Sequence, residues 1–225
     1  MVRLPYIDGF YEVKPSKIIC LGRNYAKHAK ELGHEVPKEP VIFLKPPSSL
    51  IGPKEAIILP RISKRVDHEV ELAVIIGKRG RRISRERAME YVLGYTILLD
   101  ITARDLQWEA KRKGLPWTVA KGFDTFAPVG PRLVDKRELD VSDLELGLKV
   151  NGELRQLART SEMIFKIPEI IEYISSVMTL EAGDIIATGT PAGVGPLRHG
   201  DEIEAWIEGI GKLEEDVLAE ESILC

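Results

Sequence analysis

Residues 65–77 read RVDHEVELAVIIG, a strand-like run that carries two glutamates two positions apart. Strand side chains alternate between faces, so Glu69 and Glu71 point the same way, with Asp67 before them and Ala73 and Ile75 after. His68, Val70, Leu72, Val74 and Ile76 make the other, core-like face. Two carboxylates about 7 Å apart on a half-buried face repel, and more so as the dielectric falls. Either that face is solvated or a cation sits on it. Asp100 ends the apolar run YTILLD and supplies a third carboxylate at the rim of a sheet. Three carboxylates without Cys or His form an all-oxygen site, which suits Mg²⁺, Mn²⁺ or Ca²⁺ better than zinc. The alternative for the same spacing is a solvated strand face and a helix-capping Asp.

The segment LGRNYAKHAKELG places His28 and Glu31 at i and i+3, on one face of a short helix. A Glu beside a His fixes its tautomer and raises its basicity, as a general base requires. A solvated surface pair is the competing reading. The loop that follows, GHEVPKEP, makes residues 24–40 a candidate mobile lid, with Arg23 at its hinge beside Gly22. Lys121 lies in a stretch of little charge between Ala120 and Gly122 and is placed to neutralise a carboxylate or enolate; a surface loop Lys is the other reading. Gln107 and Arg104 share the helix that begins just after Asp100. IIATGTPAGVGP is a Gly-rich turn after a strand, where the backbone around Gly189 and the Thr190 hydroxyl suit an anion. It lacks the GK[ST] of a P-loop, and a tight strand connection explains it as well.

Around these residues the chain is 225 residues long, 44% hydrophobic and 30% charged, with a formal net charge of −3. One domain with a sizeable core is expected, without a global basic field for nucleic acid or anionic membrane. No apolar run approaches the roughly 18 residues of a membrane span and the N-terminus has no signal-peptide core, so a cytoplasmic setting is expected. Cys20 and Cys225 stand outside any Cys/His cluster, and Cys20 reads as a small buried hydrophobe. The only amides are Asn24, Asn151, Gln107 and Gln156, amid abundant charge. That scarcity of thermolabile residues suggests a thermophile. EAIILP and the 65–77 run read as neighbouring strands. Ser84 should cap a helix over 84–92, Gly114 should close one over 103–114, and Pro168 should open a third. Asn151-Gly152 marks a hairpin. With βαβ alternation missing, the fold class is α+β: a mixed, mainly antiparallel rolled β-sheet with a few peripheral helices.

The motifs GRNYAKHAKE, FLKPPSS, DHEVELAVIIGK, GYTILLDITARDLQ, KGLPWTVAKGFDTFAPVGP, LKVNGELRQ and GDIIATGTPAGVG, in this order, resemble the fumarylacetoacetate hydrolase family over nearly the whole chain. The likeness is greatest to its short branch of acylpyruvases and oxaloacetate decarboxylases. The resemblance implies a β-roll, a single catalytic domain over 1–225 and a homodimer. It implies Mg²⁺ or Mn²⁺ on Glu69, Glu71 and Asp100, a His28–Glu31 dyad on a closing lid, and Lys121 in the site. Arg23, Lys45, Gln107 and Thr190 would contact substrate, with Arg104 and Gly189 beside them. The expected activity is hydrolysis or decarboxylation of small 2-oxo acids, breaking the C–C bond of acylpyruvates or oxaloacetate through a metal-stabilised pyruvate enolate. The alternatives are an isomerase–decarboxylase of 2-hydroxyhepta-2,4-diene-1,7-dioate type, a tautomerase, and a non-catalytic metal or ligand binder on the same fold.

Overall fold

The computed structural model describes residues 2–31, 33 and 35–222. Leu32 and His34 of the expected lid, and Cys225, lie outside the described residues. A seven-stranded sheet runs in the order Val41–Lys45, Ile18–Gly22, Ile185–Ala187, Val70–Ile76, Val92–Leu99, Ala127–Asp135, Leu50–Ile51. A five-stranded sheet is ordered Glu153–Arg159, Glu145–Val150, Glu202–Ile207, Gly211–Ala219, Ile57–Leu59. Each sheet contains parallel pairings, but antiparallel ladders dominate both. The expected mixed, mainly antiparallel roll with few helices is what the chain forms.

The Val70–Ile76 strand shows why its sequence is apolar on both sides. Val70, Leu72, Val74 and Ile76 join the large core, to which Ile170, Ile171 and Ile174 of the Ile167–Val177 helix also belong. Ala73 and Ile75 join a second cluster with Cys20, Leu98 and Val2, Leu4 and Val13 of the N-terminal hairpin. A sheet covered on both faces reads as a near-continuous apolar run. Glu71, on the Ala73 side, therefore enters a dry environment.

Three local expectations need correction. The 65–77 run is not one strand: Val66–His68 pairs with Thr102–Ala103 and Gly195–Leu197, while Val70–Ile76 pairs with Val92–Leu99 and Ile185–Ala187. Glu69 lies at the crossing between the two ladders, where its carbonyl accepts the Asp100 N–H at 2.8 Å. Ile57–Leu59 is not a neighbour of that run but lies parallel to Val217–Ala219 in the other sheet. Apolar composition alone does not choose a partner strand, and here a non-local ladder supplies it. Residues Arg85–Tyr91 form a 3₁₀ helix, and Ser84 stands in extended geometry without a side-chain cap bond. By contrast, Gly114 takes the left-handed conformation (φ 67°) and closes the Arg104–Lys113 helix as expected. Asn151 (φ 52°) and Gly152 (φ 78°) turn the hairpin.

Candidate active site

Glu69, Glu71 and Asp100 come together because two strand ends meet. The first ladder stops at His68, the second begins at Val70, and Val92–Leu99 ends just before Asp100. One carboxylate oxygen from each of the three lies within 4.8 Å of the others, and all three residues are buried. The face is dry, so solvation does not explain the paired glutamates.

Cations interleave with the acids. Lys121 Nζ donates to Glu69 Oε2 at 2.9 Å and to Asp100 Oδ2 at 2.5 Å. Arg104 donates from Nε to Asp67 Oδ2 at 2.8 Å, from Nη1 to Gln107 Oε1 at 2.8 Å, and from Nη2 to Glu69. Lys45 Nζ donates to the Ile101 and Lys121 carbonyls and lies 2.8 Å from Asp100 Oδ1, an oxygen that receives no well-directed hydrogen bond. Burial alone would raise the Glu69 carboxyl, but Lys121 and Arg104 hold it well below the usual range. Glu71 goes the other way. Burial, then Asp100 and Glu69, push it well above, and only Lys121 and the Gly189 N–H at 2.7 Å oppose this.

That imbalance is the test of whether these residues fit a metal. Asp67 is matched by Arg65 and Arg104, and Glu69 and Asp100 by Arg104, Lys121 and Lys45, but among the described residues no cation pairs with Glu71, so an ionised Glu71 is a charge in excess. A divalent cation among three converging oxygens would offset the excess, and an all-carboxylate donor set suits a hard ion. Glu69, Glu71 and Asp100 therefore fit the Mg²⁺ or Mn²⁺ expected there.

The Ala26–Glu31 helix brings His28 to the same cleft, which is also lined by Arg23, Gln107, Lys111, Trp117 and Thr190. His28 is buried, not a solvated surface residue, and its Nδ1 lies 3.2 Å from Glu31 Oε2. Burial holds the imidazole below its ordinary value against the pull of Glu69 and Glu31, so the neutral, base-competent form is favoured. Glu31 also accepts the Gly193 N–H, at 3.0 Å, which ties the helix to the Gly-rich turn. In that turn Gly189 has φ 96°, and a Cβ there would stand 2.7 Å from the Asn24 Cβ, so only glycine fits. The Thr190 hydroxyl donates to the Val70 carbonyl at 2.8 Å and accepts from Gln156. The enclosed space is only about 20 Å³, room for about one water.

Two residues that organise the cleft escaped the sequence reading. Gln156, fully buried, accepts the Val70 N–H and lies 3.1 Å from His68 Nδ1 through Oε1, and its Nε2 donates to Thr190 Oγ1 and the Pro191 carbonyl. One amide thus braces both sides of Glu69 against the Gly-rich turn. Asn24 does the same for the base of the His28 helix, donating to the Phe165 and Thr188 carbonyls and accepting the Phe165 N–H. The rarity of amides in the chain was the available signal.

An uncharacterized protein of Pyrococcus abyssi is 76% identical over the full length of both chains. The mitochondrial oxaloacetate tautomerase of Arabidopsis thaliana is 54% identical over 202 residues, 90% of this chain and 91% of that one. The crystal structure of the fumarylpyruvate hydrolase of Pseudomonas aeruginosa, in complex with Mn²⁺ and pyruvate, superposes with a TM-score of 0.91 at 35% identity, covering 97% of this chain and 96% of that one. Residues 17–218 match the fumarylacetoacetate (FAA) hydrolase C-terminal domain. The chain belongs to the fumarylacetoacetate hydrolase family.

Proposed function

We propose that the protein is a divalent-metal-dependent enzyme that enolises small 2-oxo acids of the oxaloacetate class, with keto–enol interconversion as its first reaction. The observation that carries this reading is the convergence of Glu69, Glu71 and Asp100 opposite a buried, neutral His28. The similarity to an oxaloacetate tautomerase over nine-tenths of both chains supports it.

When bound by the three carboxylates, Mg²⁺ or Mn²⁺ would supply Lewis-acid polarisation of the 2-oxo group. The remaining work falls to the chain. His28, with Nδ1 turned to Glu31, takes the proton from C3 of the substrate on Nε2. Glu31 stabilises the imidazolium that forms, and the proton returns to the enol oxygen. Lys121 adds positive charge where the oxyanion develops. Lys45 and Arg104 hold Asp100 and Glu69 in place, and Gln107 keeps its amide oxygen on Arg104, which leaves its NH₂ group for the substrate. The 24–40 segment acts as a lid that opens the cleft for exchange. A homodimer, a cytoplasmic setting and heat stability belong to the same reading; among the described residues no helix is long and apolar enough to cross a membrane.

A second reading rests on the hydrolase structure, whose fold this chain matches end to end. With an acylpyruvate bound, the same dyad would activate water for C–C cleavage, and with oxaloacetate the same electron sink would serve decarboxylation. One panel separates these outcomes. Protein freed of metal and reloaded with Mg²⁺ or Mn²⁺ is assayed for loss of oxaloacetate enol, for pyruvate from oxaloacetate and for cleavage of acetylpyruvate. The reading expects enol interconversion to be fastest and to require the metal. Acetylpyruvate cleavage as the dominant activity would favour the second reading. Full turnover in chelator would remove the metal from both.

A further inference from the structure

The Arg104–Lys113 helix lines one wall of the cleft with Arg104, Gln107 and Lys111. The spacing i, i+3, i+7 keeps them on one face, and seven residues at 1.5 Å each stretch about 10 Å along the axis. At the inner end the Arg104 guanidinium is consumed by Asp67, Glu69 and Gln107. The outer end is built differently. Lys111 is half-buried, and no carboxylate among the described residues pairs with it. Its ammonium rests 5.0 Å from the centre of the Trp117 ring. Arg23 lines the same cleft, also without a carboxylate partner among the described residues, and its Nε is buried with no hydrogen bond. Arg23 holds a left-handed backbone (φ 61°) that a non-glycine residue adopts at a cost, here where the chain leaves a sheet for the His28 helix. Burial lowers the Lys111 ammonium to about 8, with Arg104 and Arg23 adding to the effect.

Every cation at the inner end has a carboxylate, and these two have none. Half-buried cations left side by side call for an anion. We infer that Lys111, with Arg23, holds the distal carboxylate of the proposed substrate and that Lys111 sets the preference for a dicarboxylate over its monoanionic analogue. This deepens the reading above and rests on it, since the inner end must hold the 2-oxo acid for the helix to measure the distance to the far charge. Gln107 lies between the two ends, against the middle of the substrate.

The test uses oxaloacetate and its 4-amide, 2-oxosuccinamate, which has the same shape without the distal charge. Binding of each to the Mg²⁺-loaded protein is measured by calorimetry for the native chain, Lys111→Met and Lys111→Arg. Lys111→Met keeps the apolar stem over Trp117, and Lys111→Arg keeps the charge. The native protein should prefer the dianion by at least about tenfold, in line with a charge-assisted contact. Lys111→Met should lose most of that preference through weaker binding of oxaloacetate, and Lys111→Arg should keep it. A preference unchanged in Lys111→Met, or absent from the native protein while both ligands bind with metal, overturns the inference and leaves the 2-oxo acid reading standing. If neither ligand binds the Mg²⁺-loaded protein, the 2-oxo acid reading itself falls and the inference with it.

Discussion

Glu71 and Glu215 are both carboxyl groups buried to within 3% of complete, and both are pushed above the ordinary carboxylate range. Their surroundings differ. Glu71 accepts the Gly189 N–H, and two further carboxylates converge on the same point, among three buried cations. Neither oxygen of Glu215 has a well-directed hydrogen bond; burial, then Glu55 and Asp216, push it up to about 9. Glu215 lines a groove of about 590 Å³ with Lys54, Lys149, Glu202, Glu204 and Glu214. That groove is far roomier than the cleft, yet among the described residues only Glu69, Glu71 and Asp100 converge closely enough to share an ion. Neither burial nor cavity size marks a site here. Convergence of ligands does, together with cations placed to hold them short of neutralising them all.

The largest effect is expected at Glu71. Glu71→Gln removes the charge of one of three ligands and should cost several kcal/mol of charge stabilisation, on the order of 10⁴-fold in turnover. The same substitution at Glu215 should leave turnover unchanged, because nothing converges on it. Comparable losses in the two variants, with both folded by circular dichroism, would mean that buried carboxylates matter here for folding and not for chemistry.

His28→Ala comes next, with an expected loss of about 10²- to 10³-fold in enol interconversion and in any acylpyruvate hydrolysis. Decarboxylation of oxaloacetate, which needs no base, should fall less. Because burial holds His28 below 6.5, the neutral base persists as pH falls past that value, and the acid limb of kcat/KM should lie below pH 6.5. A limb at or above 6.5 would assign it to another group.

Gln156→Leu should act through position. It leaves the Val70 N–H and the Pro191 carbonyl without the partner that Gln156 supplies, at a cost of about 1–3 kcal/mol in stability. By loosening the junction of the two ladders where Glu69 sits, it should weaken Mn²⁺ binding by about 10- to 100-fold. Unchanged Mn²⁺ affinity in a destabilised variant would reduce Gln156 to a packing role.

How far this site could be read beforehand depended on the range of the interactions. The period-2 alternation put Glu69 and Glu71 on one face, and the end of YTILLD put Asp100 at a rim, because both facts are local to the chain. The Asn151-Gly152 hairpin and the Gly114 stop were legible for the same reason. The break at Glu69 was not, since it exists only because two different ladders claim the residues on either side. Ile57–Leu59 was given the wrong neighbour because its true partner lies about 160 residues further along. Gln156 reaches the site from a hairpin distant in sequence; its rarity and its place at the end of LKVNGELRQ marked it, but neither told what it would touch. Arg23 was legible as a hinge and substrate residue, but Lys111 looks like an ordinary surface cation until the fold shows that no acid among the described residues accompanies it.

The smallest effect is expected at Glu215. The Glu215 carboxyl keeps its proton up to about pH 9 in the folded chain and loses it near 4.5 in the unfolded one. The unfolded state therefore binds fewer protons between those values, and Glu215 costs stability that grows as pH rises through that window. Glu215→Gln should raise the Tm by a few degrees at pH 8 and by nothing near pH 4.5, as thermal unfolding at the two pH values would show. A gain equal at both would point to packing instead of charge.

The central claim is that the three carboxylates form the one place where a divalent cation and a 2-oxo acid meet. Crystals grown with Mn²⁺ and oxalate, a small chelating dianion, test it by anomalous scattering at the manganese edge. The account predicts a single strong peak per chain between Glu69, Glu71 and Asp100, with oxalate on its open side facing His28. A peak in the groove lined by Glu202, Glu204 and Glu214, or none between the three carboxylates, would contradict it.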